Sequence, residues 1–226
     1  MDGIHDVGGM DSFRRLPPDQ PDDASPFHHE WEGVVQALYL AGLGSGAFHL
    51  DRFRYELETH EPEYHLETPY YERWLTAVES LFDEAGVVDR EELLERARAI
   101  EAGEREVTEE TDPERLPELL EGVREVYMSE REGEVGKPAF SEGDRVRVRK
   151  EHPSSHTRCP RYVRGCVGEV ASYRGVHVFP DANAHGEERA EPLYNVRFDS
   201  GELWGEANTD GDGLHIELWE PYLDSV

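Results

Sequence analysis

The stretch Phe140-Ser-Glu-Gly-Asp-Arg-Val-Arg-Val-Arg149 decides how the second half of this chain folds. In it Val146 and Val148 alternate with arginines, and this two-residue period predicts a half-buried strand. Four more short runs of the same kind follow, separated by Gly, Asp and Asn: residues 165–170, 176–179, 193–198 and 214–219. Five short strands joined by turn residues favour a small closed or nearly closed barrel.

The spacing of glycines in this region also favours a particular barrel. Phe-x-x-Gly-Asp-x-Val, starting at Phe140, leads into Gly-x-Val-Gly-x-Val, starting at Gly165. This order is frequent in SH3-like barrels, and we predict one over residues 139–226. Such barrels serve mostly as docking modules, so the fold alone names no chemistry.

Upstream of the strands the apolar period becomes helical. Apolar residues recur at helical spacing from Trp31 to Tyr39, and again from Tyr70 to Phe82, where Thr68-Pro69 is a helix-start signal. We predict a small helical domain over residues 30–88.

Two further segments complete the expected organisation. Residues 1–29 are rich in Gly, Pro and Asp, which predicts an extended N-terminal arm. Residues 89–138 are dominated by Glu and Arg with narrow apolar stripes, which predicts an acidic helical linker. The fold class is therefore α+β: an extended arm and a small helical domain, followed by an SH3-like β-barrel.

The charge of the chain limits its partners. In 226 residues, 23 Lys+Arg stand against 51 Asp+Glu, a formal net charge of −28. Nucleic acids and anionic membranes are held through clustered basic residues, so we expect neither as a partner. Only Lys137 and Lys150 are lysines. Many carboxylates with almost no lysine suggest a surface adapted to concentrated salt, in a halophilic source; an ordinary acidic cytoplasmic protein is the alternative.

The sequence shows no targeting or disulfide pattern. Cys159 and Cys166 lack C-x-x-C or Cys/His zinc spacing, and no apolar run approaches the roughly 20 residues of a membrane helix. The first residues carry neither a basic nor an apolar signal region. We therefore expect a cytoplasmic, soluble protein.

Three arginines in the expected barrel are candidates for chemistry. Arg158, Arg161 and Arg164 stand three residues apart beside Pro160 and Tyr162. Arginines braced in a tight loop present a fork of donors to an oxyanion, whereas the simpler interpretation is a set of surface salt bridges.

The helical half offers a second group. Arg54 follows Phe53 on an expected helix and points either into an interface or into water. Tyr70 and Trp74 are four residues apart, so they share a helix face as core packing or as a pocket wall.

Together these segments resemble the β subunit of nitrile hydratase. The resemblance is carried by Met-Asp-Gly-Ile-His-Asp-Val-Gly-Gly at residues 1–9 and by 46–54, 64–74, 156–165, 179–182, 202–205 and 217–223. It implies hydration of a nitrile to an amide by an α/β heterodimer that pairs again to (αβ)2. It also implies that a separate α subunit holds non-haem Fe(III) or non-corrin Co(III) in a claw of oxidised cysteines.

The resemblance also implies roles for particular residues. Arg54 and Arg158 match arginines that hydrogen-bond the oxidised sulfurs. Tyr70 matches a tyrosine beside the metal site, and Trp74 and Phe48 match positions that line the substrate channel. Cys159 stands where we expect methionine in relatives.

Other functions compete with this one. A thiocyanate hydrolase-like subunit is related, but that enzyme divides the equivalent of this chain between two polypeptides. A non-enzymatic SH3-like module that binds nucleic acid through Arg158, Arg161 and Arg164 conflicts with the net charge. An accessory protein would not need both halves.

Overall fold

The computed structural model describes residues 1–10, 26–108, 111–127, 137–205 and 213–226. The contacts divide the chain into a helical unit, Pro17–Met128, and a sheet unit, Met1–Leu16 with Ser129–Val226. The expected mixture of helix and sheet is confirmed. Pro17, Pro18 and Pro21 of the expected arm and residues 128–136 of the expected linker lie outside the described residues.

The helical unit contains six α-helices among its described residues: α1 (Glu30–Gly44), α2 (Leu50–Glu58), α3 (Pro62–Glu67), α4 (Tyr70–Glu84), α5 (Arg90–Glu101) and α6 (Leu116–Tyr127). Helix α4 begins one residue later than a Thr68 cap would require, since Pro69 is the N-cap and Thr68 ends α3. Glycine lies just beyond α4 as expected, and Gly86 adopts a left-handed φ of 68°.

The core of the helical unit is aromatic and aliphatic. Its buried members are Tyr39, Leu43, Phe48, Phe53, Ala77, Val78 and Leu81. A glycine makes this packing possible, because a Cβ on Gly42 would lie 2.3 Å from the ring of Phe48. Burial of such side chains contributes roughly 1.5–3 kcal/mol each.

Helix α6 differs from the expected solvated linker helix. It packs on α1, where Gly44 and Gly122 bring the two backbones together: a Cβ on Gly122 would lie 2.2 Å from the Gly44 carbonyl oxygen. Val126 packs against the aromatic core, and the hydroxyls of Tyr39 and Tyr127 are 3.1 Å apart.

The sheet unit contains five antiparallel strands among its described residues: β1 (Arg145–Val148), β2 (Val167–Val178), β3 (Ala190–Phe198), β4 (Leu214–Trp219) and β5 (Leu223–Ser225). The short helices α7 (Pro180–Asn183) and α8 (Ser200–Trp204) follow β2 and β3. Val146 and Val148 are fully buried, whereas Arg145 and Arg147 of the same strand are exposed, as the alternation predicts.

The strands form an open sheet in the order β4-β3-β2-β1-β5 and are not closed into a barrel. The two runs expected at 165–170 and 176–179 form the single strand β2, because its pairing with β3 continues across two register shifts. Strand β5 supplies the fifth strand and pairs with β1, Val148 opposite Leu223.

Candidate functional site

The sheet unit presents Arg158 on a loop whose neighbouring side chains are buried. His156, Thr157 and Cys159 are 1%, 9% and 6% exposed, whereas Arg158 is exposed. The backbone N–H of Arg158 donates to the Tyr222 hydroxyl at 3.2 Å, and that of Cys159 donates to the Thr157 hydroxyl at 3.3 Å. The backbone of the loop is therefore held by hydrogen bonds to buried side chains, while Arg158 itself is exposed.

Tyr222 is itself held by a buried carboxyl group. Its hydroxyl donates to Asp181, which also accepts a hydrogen bond from Thr157. Burial raises the pKa of the Asp181 carboxyl, and these two hydrogen bonds oppose the rise. Burial and the adjacent Asp181 carboxylate raise the pKa of Tyr222, so its hydroxyl stays protonated and can donate.

The other two arginines of this loop do not form an outward fork with Arg158. The Arg164 side chain is only 4% exposed and pairs with Asp2, and its Nη2 lies 3.9 Å from Asp6. The Arg161 backbone N–H donates to Asp6 at 2.9 Å, and its guanidinium donates to the Asp6 carbonyl. The first residues of the chain thus bind both arginines. For Arg164 the physical reason is burial, since a buried guanidinium needs carboxylates to offset its desolvation, whereas the Arg161 side chain is 42% exposed.

Arg54 lies in the helical unit, one turn into α2. Its Nη1 is 3.1 Å from Oδ1 of the buried Asp51, and its side chain is 38% exposed. The ion pair within one helix turn orients the guanidinium, and the exposed part leaves donors available to another molecule. Arg54 and Arg158 belong to different units of the chain.

Tyr70 and Trp74 lie together at the start of α4, as their spacing predicted. Their ring centroids are 5.2 Å apart, and Trp74 packs further on Tyr39 at 4.8 Å and on Phe53 at 5.0 Å. Tyr70 is 54% exposed. Its pKa is raised, mainly by partial burial, so that the hydroxyl is protonated at neutral pH. The pair forms a half-exposed aromatic wall with a core behind it.

Phe48 is part of that core. It is 4% exposed and contacts the rings of Phe53 and Phe82, with centroids 6.1 and 5.8 Å away. The side chain shapes the helical unit from inside, and any role in a substrate channel stays a prediction.

The cysteines are free thiols. Burial raises the pKa of Cys159 to about 11 and also raises that of Cys166. Both thiols are therefore protonated at neutral pH. Within the part of the chain that the structure describes, no group of three His, Cys, Asp or Glu side chains could hold a metal ion. The same residues include no helix long and apolar enough to cross a membrane.

Reasoning from residue types missed four polar residues that support the Arg158 loop. These are Asp2, Asp6, Asp181 and Tyr222. Each lies in a segment that carried the family resemblance, at 1–9, 179–182 or 217–223. The motifs were the available signal, but the pairing between segments far apart in sequence was not visible in them.

Comparison with known proteins matches the chain in two consecutive segments. Residues 1–118 match the family model described as nitrile hydratase beta subunit, N-terminal, and residues 128–225 match the C-terminal one. The chain is 40% identical to the low-molecular weight cobalt-containing nitrile hydratase subunit beta of Rhodococcus rhodochrous, over 99% of both chains. It is 36% identical to the cobalt-containing nitrile hydratase subunit beta of Pseudonocardia thermophila, over 100% of this chain and 97% of the relative.

A second enzyme shows a partial similarity. The thiocyanate hydrolase subunit alpha of Thiobacillus thioparus is 36% identical over 99 residues, which is 42% of this chain and 77% of that subunit.

Proposed function

The chain belongs to the nitrile hydratase β-subunit family, and from this membership we propose that it is the subunit without the metal in a heteromeric lyase that adds water to a nitrile to form the amide. The observation that carries the proposal is full-length similarity: two family models span both parts of the chain, and a curated β subunit is 40% identical over 99% of its length.

In this proposal Arg54 and Arg158 complete the site of a partner α subunit. They donate hydrogen bonds to the oxidised cysteine sulfurs there. Sulfenate and sulfinate oxygens carry negative charge into an interface, where an uncompensated anion is costly. A guanidinium supplies charge and directed donors together, which a lysine ammonium does not. Support comes from exposure in this chain: the Arg54 side chain is 38% exposed, and Arg158 is an exposed residue.

The aromatic wall has a separate proposed role. Tyr70 orients a ligand through its protonated hydroxyl, and Trp74 excludes water from the nitrile. Phe48 acts from the core, where its contact with Phe53 keeps the ring behind Trp74 in place.

The proposed metal, non-haem Fe(III) or non-corrin Co(III), belongs to the α subunit. This chain has only two cysteines, Cys159 and Cys166, which stand seven positions apart and do not fit a cysteine-rich claw. When bound in the α subunit, the metal supplies Lewis acidity toward the nitrile or a water molecule. This chain contributes the guanidinium donors of Arg54 and Arg158 and the aromatic wall formed by Tyr70 and Trp74.

We extend the proposal to assembly and setting. The complex is (αβ)2, the sheet unit is related to SH3-like barrels, and the protein works in the cytoplasm of a halophilic organism. The strand order with β1 between β2 and β5 supports the relation to SH3-like barrels. The net charge of −28 supports a halophilic source.

Conservative substitution of the two arginines tests the proposed role. The αβ complex is co-expressed with Arg54→Lys or Arg158→Lys in this chain, with Arg149→Lys as control because Arg149 forms an exposed pair with Asp224. Hydration of acrylonitrile should fall about 100-fold in kcat for each site variant, the size seen when one positioned donor is lost. The control should retain wild-type kcat. Full turnover by both site variants, in assembled complexes, would refute the role.

Thiocyanate hydrolysis is the second candidate. The match to a thiocyanate hydrolase subunit favours it, but that match covers only 42% of this chain. Assay of the same complex with thiocyanate and with acrylonitrile separates the two, and we expect turnover of the nitrile.

A further inference from the structure

Residues 1–10, which we call the N-terminal latch, lie against the loop that carries Arg158. The motif Asp2-Gly-Ile-His-Asp6 supplies two carboxylates, and Gly8-Gly9 supplies a turn without side chains. Both features have partners in the sheet unit, and the proposed function leaves both unused.

The carboxylates bind the buried guanidinium of Arg164. Asp2 accepts a hydrogen bond from Nη1 of Arg164, and Asp6 lies 3.9 Å from Nη2. The side chain of Asp6 is 11% exposed and that of Arg164 is 4% exposed, so solvent screens this cluster weakly.

The glycines allow the latch to sit on two aromatic rings. A Cβ on Gly8 would lie 2.7 Å from the Tyr162 ring, and one on Gly9 would lie 2.6 Å from the Trp204 ring. The two rings stack with centroids 5.5 Å apart, and Gly9 has a φ of 72° that favours glycine. Side chains at either position would push the latch away from the sheet unit.

Arg164 connects the latch to Cys159, the residue that follows Arg158. Its Nε and Nη2 donate to the Cys159 carbonyl at 3.1 and 2.8 Å, and its Nη1 donates to the Glu151 carbonyl at 3.0 Å. On the other side, Tyr222 holds the Arg158 N–H. The backbone around Arg158 is thus held at two points, its own N–H and the carbonyl of the next residue, Cys159. The second point depends on Arg164, which the two latch carboxylates hold in place.

We propose that Asp6 and Arg164 are positioning residues for the Arg158 guanidinium: the N-terminal latch fixes the loop from which that arginine reaches the partner subunit. The inference rests on the proposed function, since it acts through Arg158. Displacement of a positioned group by about 1 Å costs up to about 100-fold in rate, so a small movement of this loop affects turnover.

The test is a double-mutant cycle on the assembled αβ complex. Asp6→Asn removes the charge with little change in shape, and Asp224→Asn is the matched control from an exposed ion pair. We expect Asp6→Asn to lower kcat about tenfold with KM changed less than about twofold, whereas the control is unchanged. Asp6→Glu should restore part of the loss. In an Arg158→Lys background, Asp6→Asn should cause no further loss, because both changes act on the same interaction.

The outcomes distinguish failure of the latch proposal from failure of the arginine's role. If Arg158→Lys is impaired and Asp6→Asn keeps wild-type kcat, or if the two losses multiply, the latch proposal is wrong and the arginine's role stands. If Arg158→Lys is fully active, the arginine's role fails and takes the latch proposal with it. Should Asp6→Asn yield no complex, Asp2→Asn tests the same guanidinium from a side chain that is 28% exposed.

Discussion

The close approach of α1 and α6 leads to a quantitative prediction for Gly122→Ala. The new Cβ would lie 2.2 Å from the Gly44 carbonyl oxygen and 2.9 Å from its carbon, where non-bonded heavy atoms prefer about 3.5 Å. Both contacts are to backbone, so the helices must separate by about 1 Å. Overpacking of this kind costs about 1–3 kcal/mol, against a gain of about 1 kcal/mol in helix propensity.

Gly33→Ala is the matched control. It makes the same exchange inside α1, but its Cβ would meet the Phe27 ring at an ordinary 3.5 Å. The control should therefore stabilise the chain by up to about 1 kcal/mol, which corresponds to about 2–4 °C in Tm for a chain of this size. Gly122→Ala should lower the Tm by up to about twice that amount.

Thermal unfolding of the full chain measures both variants, and hydrogen exchange of residues 116–127 locates the change. Separation of the helices should also break the hydroxyl contact between Tyr39 and Tyr127, 3.1 Å in the native fold. A rise in Tm for Gly122→Ala equal to that of Gly33→Ala, with unchanged protection of α6, would refute the packing argument.

Two further predictions concern titratable groups. Native protein at pH 8 should react with Ellman's reagent at Cys166 and not at Cys159, because Cys159 is buried and its pKa is about 11. The Cys166→Ser variant should not react. Two reactive thiols per native chain would contradict the burial of Cys159. Burial lowers the pKa of His60, so below the unfolded value of about 6.5 the unfolded chain binds a proton that the folded chain does not. Stability, measured by urea unfolding, should therefore decrease as the pH falls from about 7 toward 5, and His60→Gln should reduce this dependence; an identical pH dependence in both proteins would exclude His60 as its source.

The helices and most strands could be predicted because their signals are local. The alternation of Val146 and Val148 with arginines follows directly from strand geometry, and both valines are fully buried. Periodicity likewise located α1 and α4. It did not show which apolar residues of α1 face the core: Val35 and Tyr39 are buried, whereas Val34 is 59% exposed. When apolar residues cover a wide arc of a helix, the sequence does not show which side of that arc faces the core.

The prediction of a closed barrel relied on the alternation of residues within single strands, which does not determine how distant strands pair. Two runs of alternating residues predicted two strands, but the chain between them continues as β2 through two bulges. Closure depends on pairing between the first and last strands, and here β4 and β5 are the edges of an open sheet. Pairing between strands that are far apart in sequence depends on how all the strands of the sheet pack together.

The sequence by itself determined the family, the charge of −28 and the separate helical and sheet parts, because composition, motifs and periodicity are properties of neighbouring residues. Only the tertiary structure decided what the clustered arginines do. Arg161 and Arg164 bind Asp2 and Asp6, more than 150 positions away, and Arg158 remains exposed on the loop that they hold. The physical reason is that the buried guanidinium of Arg164 needs carboxylates to offset its desolvation, and folding, not spacing, determines which carboxylates come within reach.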